Sequence, residues 1–309
     1  MRRFIFTLIV ISLAVSASAQ KTQKKSNSPW KKGGNISLYL SQGGSRNWAA
    51  GSDKFSLAFT GYLNLYANRQ AGKHNWKNSV DIGYSMTNQW SAGVRKNYDK
   101  LEALTNYSYQ ITKSTGVGLF LNLRTQLTNG FDYTESPKKR MSGFFAPAYA
   151  IAAPGAYIDI IKNVTIFATP AAAKWVIVTN EPYSFNYQGG VKPDSSSERS
   201  LASMYGVDPT RKVRFEVGPF VSAAFNKTIC KSVNYKTRVD VQSDLTNDEP
   251  FNVDVYWTNR IDMKVNKWLM VTYNFDLIYD DNVRMFGKSK MGSGTQLNSM
   301  LGVGVSAKF

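Results

Sequence analysis

Read back from its carboxyl end, the chain alternates. Phe309, Ala307, Val305, Val303, Leu301 and Leu297 are apolar, with the small Ser299 among them, while Lys308, Ser306, Gly304, Gly302 and Asn298 are polar or lack a side chain. A period of two sends alternate residues to opposite faces of a strand, whereas an amphipathic helix repeats near 3.6. An apolar face ending in an aromatic residue suits the closing strand of an outer-membrane barrel, and equally the last strand of a soluble sandwich. The remaining pattern has to decide between them.

The same alternation recurs upstream. Asn35 to Gln42, Phe55 to Arg69, Trp76 to Met86, Lys100 to Ile111, Gly116 to Leu127, Lys212 to Asn226, Val233 to Asp244, Phe251 to Val265 and Leu269 to Asp280 all read as strands. The clearest is Phe251 to Val265, where Val253, Val255, Trp257, Ile261 and Met263 alternate with Asp254, Tyr256, Thr258, Arg260, Asp262 and Lys264. Tyr149 to Ile161 and Val164 to Thr179 are blurred by Pro154 and Pro170 but complete the set. The connections alternate too: Thr87 to Asp99 and Asn180 to Arg211 are long, and the even-numbered ones, such as Gln70 to Asn75, are tight.

Short turns on one side and long loops on the other are the habit of bacterial membrane barrels. Trp76, Tyr109, Phe225, Tyr235 and Phe309 lie on apolar faces near the tight-turn end, with Trp268 adjoining, as an interfacial aromatic girdle requires. The fold class expected is therefore all-β, a transmembrane up-and-down antiparallel barrel of about 12 strands.

The amino terminus sets the compartment. Met1-Arg2-Arg3, an apolar run from Phe4 to Val15, and Ala17-Ser18-Ala19 before Gln20 have the build of a secretory signal peptide. Residues 1–19 are read as that signal, 20–34 as a basic flexible lead, and 35–309 as the barrel, with both termini in the periplasm.

Gly33-Gly34, the short strand to Gln42 and the loop Asn47-Trp48-Ala49-Ala50-Gly51 resemble the start of a Bacteroidota family of secreted, outer-membrane β-proteins known as a domain of unknown function. The family's Asn-Trp-x-x-Gly-Gly pattern departs here at Ser52, and the likeness in motif extends over Gly33 to Tyr84. The resemblance implies a barrel in the cell envelope and carries no catalytic residues with it.

Composition agrees with strands: 17 Tyr, 17 Phe, 7 Trp and 23 Gly. The single cysteine, Cys230, excludes an internal disulfide framework. The formal net charge of +17 would suggest nucleic acid in the cytosol, but export makes anionic lipid or lipopolysaccharide the expected polyanion. The barrel-assembly machinery is expected to recognise the strand ending in Phe309.

On the polar faces, Lys77, Arg124, Arg214, Lys236, Arg238, Arg260, Lys264 and Lys308 stand against Asp81, Glu102, Glu216, Asp240, Asp254, Asp262, Asp276 and Asp280. Matched signs suit a narrow interior laced by ion pairs, since an unpaired charge in a tight lumen is costly. Arg124, Arg214, Glu216, Lys236, Arg238, Asp240, Asp254, Arg260, Asp262 and Asp276 are the expected lumen network, and Trp48 is the candidate loop contact.

Catalysis is not expected. The one histidine, His74, falls in a tight turn, away from any serine at the outer interface where a lipid-cleaving site would need it. Asp280-Asp281 and Asp248-Glu249 are too few oxygens to assign a metal, and Met291-Gly292-Ser293-Gly294 lacks the strand, helix and lysine of a phosphate cradle. No cofactor is expected. Two readings remain: a narrow passive channel for small solutes, and a non-conducting accessory barrel whose loops bind lipopolysaccharide or a protein partner.

Overall fold

Twelve of the alternating segments pair edge to edge until the first meets the last. The structure is a computed structural model, and it describes residues 28–44, 55–134, 138–179, 200–246, 252–287 and 291–309. In chain order the strands are β1 (Trp30–Gly44), β2 (Phe55–Ala71), β3 (His74–Gln89), β4 (Gly93–Gln110), β5 (Thr115–Thr125), β6 (Gly130–Asp132) and β7 (Lys139–Ser142). There follow β8 (Ala148–Ile161), β9 (Val164–Ile177), β10 (Val213–Cys230), β11 (Val233–Ser243), β12 (Val253–Lys264), β13 (Leu269–Tyr279) and β14 (Gln296–Lys308). Among the described residues the one helix is the single turn α1 (Leu201–Met204).

The sheet is a closed antiparallel barrel in the order β1-β14-β13-β12-β11-β10-β9-β8-β5-β4-β3-β2, while β6 and β7 form a separate two-stranded flap. Closure runs from Asn35 opposite Lys308 to Tyr39 opposite Gly304. It is clamped where the Gly34 amide donates to the Phe309 carbonyl at 2.9 Å and the Phe309 amide returns a bond at 3.1 Å. No sheet edge is left open by that arrangement, which is what hydrocarbon demands of a spanning sheet.

Burial is inverted relative to a water-soluble protein. Leu297 is 64% exposed and Leu301 65%, whereas Glu216 is wholly buried and Lys174 is 3% exposed. Val253, Trp257 and Val303 all face outward, so the apolar side of the sheet forms an outer belt and the polar side lines the lumen. At the tight-turn end the Trp30 and Trp76 rings lie 5.5 Å apart. Trp268, Tyr109 and Phe309 are exposed there as well, so the belt ends in aromatic side chains, as at a lipid interface.

Several boundaries differ from the sequence reading. The first strand starts at Trp30, not Asn35, because Trp30 to Gly34 pair with Arg69 to Leu65 of β2. The stretch Thr87 to Asp99 is not a long loop: β3 and β4 pair out to Gln89 and Gly93, leaving three residues between them. A crossing needs about 9–11 residues per strand, so β4, at 18, stands well beyond the belt. His74 opens β3 instead of lying inside a turn. The signal segment, most of the lead, Trp48 and its loop, Asp248-Glu249, and residues 180–199 lie outside the described residues.

Candidate functional site

The candidate site is the lumen, and its middle is crossed by side chains from opposite walls. Arg238 of β11 pairs with Glu102 of β4, five strands away in a ring of twelve. Lys100 holds the other carboxylate oxygen of Glu102 at 3.0 Å, and the Asn122 amide donates to Glu102 at 2.9 Å. Tyr98 of β4 donates to Asp276 of β13 at 2.9 Å, also five strands away. The Arg124 guanidinium of β5 lies 3.8 Å from the centre of the Tyr256 ring of β12, a third span of the same width. Arginine stacks readily on an aromatic face, so this cation has a partner without a carboxylate.

Towards the long-loop end the charges converge on Lys174. Its ammonium pairs with Glu216 at 3.0 Å, with Asp254, and with Asp280 at 3.6 Å. Arg214 holds the second oxygen of Glu216. Asp254, Asp280 and Asp281 bring one carboxylate oxygen each within 4.8 Å of one another. The Lys174 ammonium already supplies a positive charge to two of these carboxylates, so no metal site is assigned there.

Above that cluster sits a small apolar plug. Leu201, Ala202 and Met204 of α1, with Tyr205, Val207 and Val283, pack against Val176 and Tyr149 on the inner wall of β9 and β8. Ser200 caps α1, its hydroxyl accepting from the Ser203 amide at 3.1 Å. The Arg284 amide donates to the Met204 carbonyl at 3.1 Å and joins the two loops. Burial pushes the Tyr205 phenol upward, which keeps its proton in place for the 2.8 Å bond it donates to the Met141 carbonyl.

Below the mid-lumen bridges the interior is open. A cavity of about 1230 Å³ runs from Tyr98, Glu102 and Asp276 down to Lys231, Lys308 and Phe309 at the tight-turn mouth. A side lobe of about 310 Å³ extends past Phe120 and Tyr157. The lobe's apolar wall is made by Phe120 and Phe167, which pack with Phe220 in a buried cluster.

The ten residues expected as a lumen network are all on the lumen side, but they fall into separate groups. Arg214 and Glu216 pair, as do Arg238 with Asp240 at 3.1 Å and Arg260 with Asp262 at 2.9 Å. Asp254 joins through Lys174, Asp276 through Tyr98, and Arg124 through Tyr256. Lys236 lines the vestibule and joins none of these pairs.

Two principal members escaped the sequence reading. Lys174 did so because β9 carries an extra residue at Pro170-Ala171, where the register against β10 shifts between Gly218 and Phe220. Phe167 and Thr169 face inward before the bulge, and Ala172, Lys174 and Val176 after it, so strict alternation assigns Lys174 to the wrong face. Lys100 stood at the margin of its expected strand. Its shared parity with Glu102 is the signal that places it inside.

His74 bonds through Nδ1 to the Tyr107 hydroxyl at 2.7 Å, exposed at the tight-turn end. Cys230 ends β10 and is exposed.

Residues 40–131 match a family described as "Protein of unknown function (DUF3078)", which fits the unknown-function family suggested by the motifs. No curated protein sequence matches the chain. Similar solved structures include an outer membrane channel from Pseudomonas putida F1, at 7% identity and a TM-score of 0.40, over 94% of this chain and 99% of that one. The NanC porin is similar at 10% identity and 0.35, over 88% and 98%. Outer membrane phospholipase A from Escherichia coli is similar at 10% and 0.32, over 94% and 96%. The last of these corrects the expectation that the protein is not an enzyme, since an enzyme stands among the similar barrels. At such low scores no activity or residue role passes from any of them to this chain.

Proposed function

We propose that this protein is an outer-membrane barrel with its termini on the periplasmic side, whose lumen is shut by its own side chains and which serves as a non-conducting accessory barrel. The observation that carries the reading is the set of three spans across the mid-lumen, Arg238 to Glu102, Tyr98 to Asp276 and Arg124 to Tyr256. Each is charged or charge-assisted, and Arg238 and Glu102 are partnered again on the wall by Asp240 and by Lys100 and Asn122, a combination that resists opening. The plug on Val176 and Tyr149 adds a second obstruction at the long-loop end. The apolar belt and the closed sheet support a lipid setting, and the signal-like amino terminus favours the outer membrane.

Contact with lipopolysaccharide through the basic outer loops, and recognition of the β14 strand by the assembly machinery, belong to the same proposal. A narrow channel is the second reading. Its support is the polar vestibule, which would become a conduit if the mid-lumen bridges parted. Planar-bilayer recording of the refolded full chain separates the two. No current steps above background are expected, and a steady ohmic current would overturn the closed reading in favour of the channel.

A further inference from the structure

The vestibule below the bridges has a charge excess that its own walls leave uncompensated. Eight basic and four acidic residues line it. Two of the four carboxylates are taken up by cations, Glu102 by Lys100 and Arg238 and Asp262 by Arg260, while Asp276 and Asp81 are held by neutral donors, the Tyr98 hydroxyl and the Asn64 amide at 2.7 Å. That leaves Lys77, Lys231, Lys236, Lys264 and Lys308, five lysines that form no ion pair among the described residues.

Lys231, Lys236, Lys264 and Lys308 lie along the neighbouring strands from β10 to β14, and Lys77 of β3 closes the ring from the opposite wall. Lys236, Lys264 and Lys308 line the same cavity as Arg260, whose charge is the one that Asp262 takes up. A sequence with 21 acidic residues had the means to neutralise such a ring, and it does so around Lys174 at the other end of the same lumen.

Like charges gathered in a concave site walled by low-dielectric material focus their field and raise the local concentration of opposite charge. The volume, about 1230 Å³, exceeds the roughly 300–1000 Å³ common for small-molecule pockets. Between the lysines the wall offers neutral hydrogen-bonding side chains such as Asn68, Asn106, Asn226 and Asn274, which suit hydroxyl or phosphoryl oxygen. We propose that the vestibule is a binding site for a small organic polyanion bearing two or more phosphate or carboxylate groups, gripped by Lys77, Lys231, Lys236, Lys264 and Lys308. The ligand enters and leaves by the tight-turn mouth, and the mid-lumen bridges form the floor it rests on. The proposal goes beyond the closed-barrel reading and does not depend on it, because a conducting lumen with the same ring would bind the same class of ion.

The test is calorimetric titration of the full chain, refolded in zwitterionic detergent at low ionic strength, with inorganic tripolyphosphate and with citrate as probes. One saturable site is expected, with the preferred probe at least about tenfold tighter than inorganic phosphate and weakening steeply as salt is raised. Which probe binds tighter assigns the anion as phosphate-like or carboxylate-like. Neutralising Lys236→Gln, Lys264→Gln and Lys308→Gln together should weaken binding about tenfold or more, while Lys138→Gln, Arg140→Gln and Arg211→Gln, an equal loss of charge at the other end, should leave it unchanged.

Equal losses in the two triple variants, wild-type affinity in a folded vestibule triple, or no saturable site for either probe would each overturn the proposal. If the vestibule triple fails to fold, Lys236→Gln alone decides: about a threefold loss supports the site and an unchanged affinity rejects it.

Discussion

The two ends of the lumen treat charge in opposite ways. Around Lys174 three carboxylates share one buried ammonium, Arg214 completes the set, and apolar residues of the plug lie above them. Around Lys236, Lys264 and Lys308 the cations face an open cavity and pair with none of the carboxylates that line it. Water explains the difference. A charge withdrawn from water must find fixed partners, whereas a solvated lysine keeps its hydration and needs none. The long-loop end is therefore built for closure, and the tight-turn end keeps unspent electrostatic attraction.

The largest effect that would break this contrast is expected from Lys174→Met. Methionine fills similar space, but Glu216, Asp254 and Asp280 would then face one another without the ammonium that joins them. Removing one partner of a buried ion pair costs about 3–5 kcal/mol. The urea midpoint of the folded form in detergent should fall accordingly. A shift of less than about 1 kcal/mol would show that the cluster is hydrated and that the two ends do not differ in kind.

How much of this was readable in advance follows from what alternation can carry. The closing strand, with Leu297, Leu301, Val303 and Val305 outward, was legible because each parity step is preserved from Gln296 to Lys308. The pairing of Arg260 with Asp262 was visible as two charges on one face of a clear strand. Lys174 was not, since one extra residue at the β9 bulge reverses every later assignment on that strand. Nor was the meeting of Arg238 with Glu102, because spans across a lumen depend on barrel curvature and stagger, which no local pattern encodes. The plug was hidden for a different reason: Leu201 to Met204 is too short a run to show a helical period. The excess of lysine at one mouth was masked by the equal totals of the two signs, for only the height of each residue along the axis separates them.

A smaller effect is expected where the two ends meet. Gly83 faces the lumen beside the mutually tilted rings of Tyr62 and Tyr98, whose centres lie 5.9 Å apart. A Cβ there would stand 2.6 Å from the Tyr98 ring and 2.7 Å from that of Tyr62. Gly83→Ala should displace Tyr98 and with it the hydroxyl that holds Asp276. Overpacking of this kind costs about 1–3 kcal/mol. A lowered thermal midpoint together with newly visible current steps would locate the boundary between closed and open lumen at this layer. An unchanged midpoint would mean that the two rings yield freely.

The smallest effect sharpens the contrast from the other side. Lys236→Met makes the same chemical change as Lys174→Met, on the same inner surface, but at a position that is exposed to the vestibule and joins no ion pair among the described residues. With no carboxylate left behind, and with repulsion from Lys264, Lys308 and Arg260 relieved, stability should change by less than about 0.5 kcal/mol. Its urea midpoint should match the wild type or lie slightly above it, with the gain largest at low salt, where like charges are least screened. A loss comparable to that of Lys174→Met would mean that Lys236 has a buried partner, and that the tight-turn end is bound together by charge as firmly as the other.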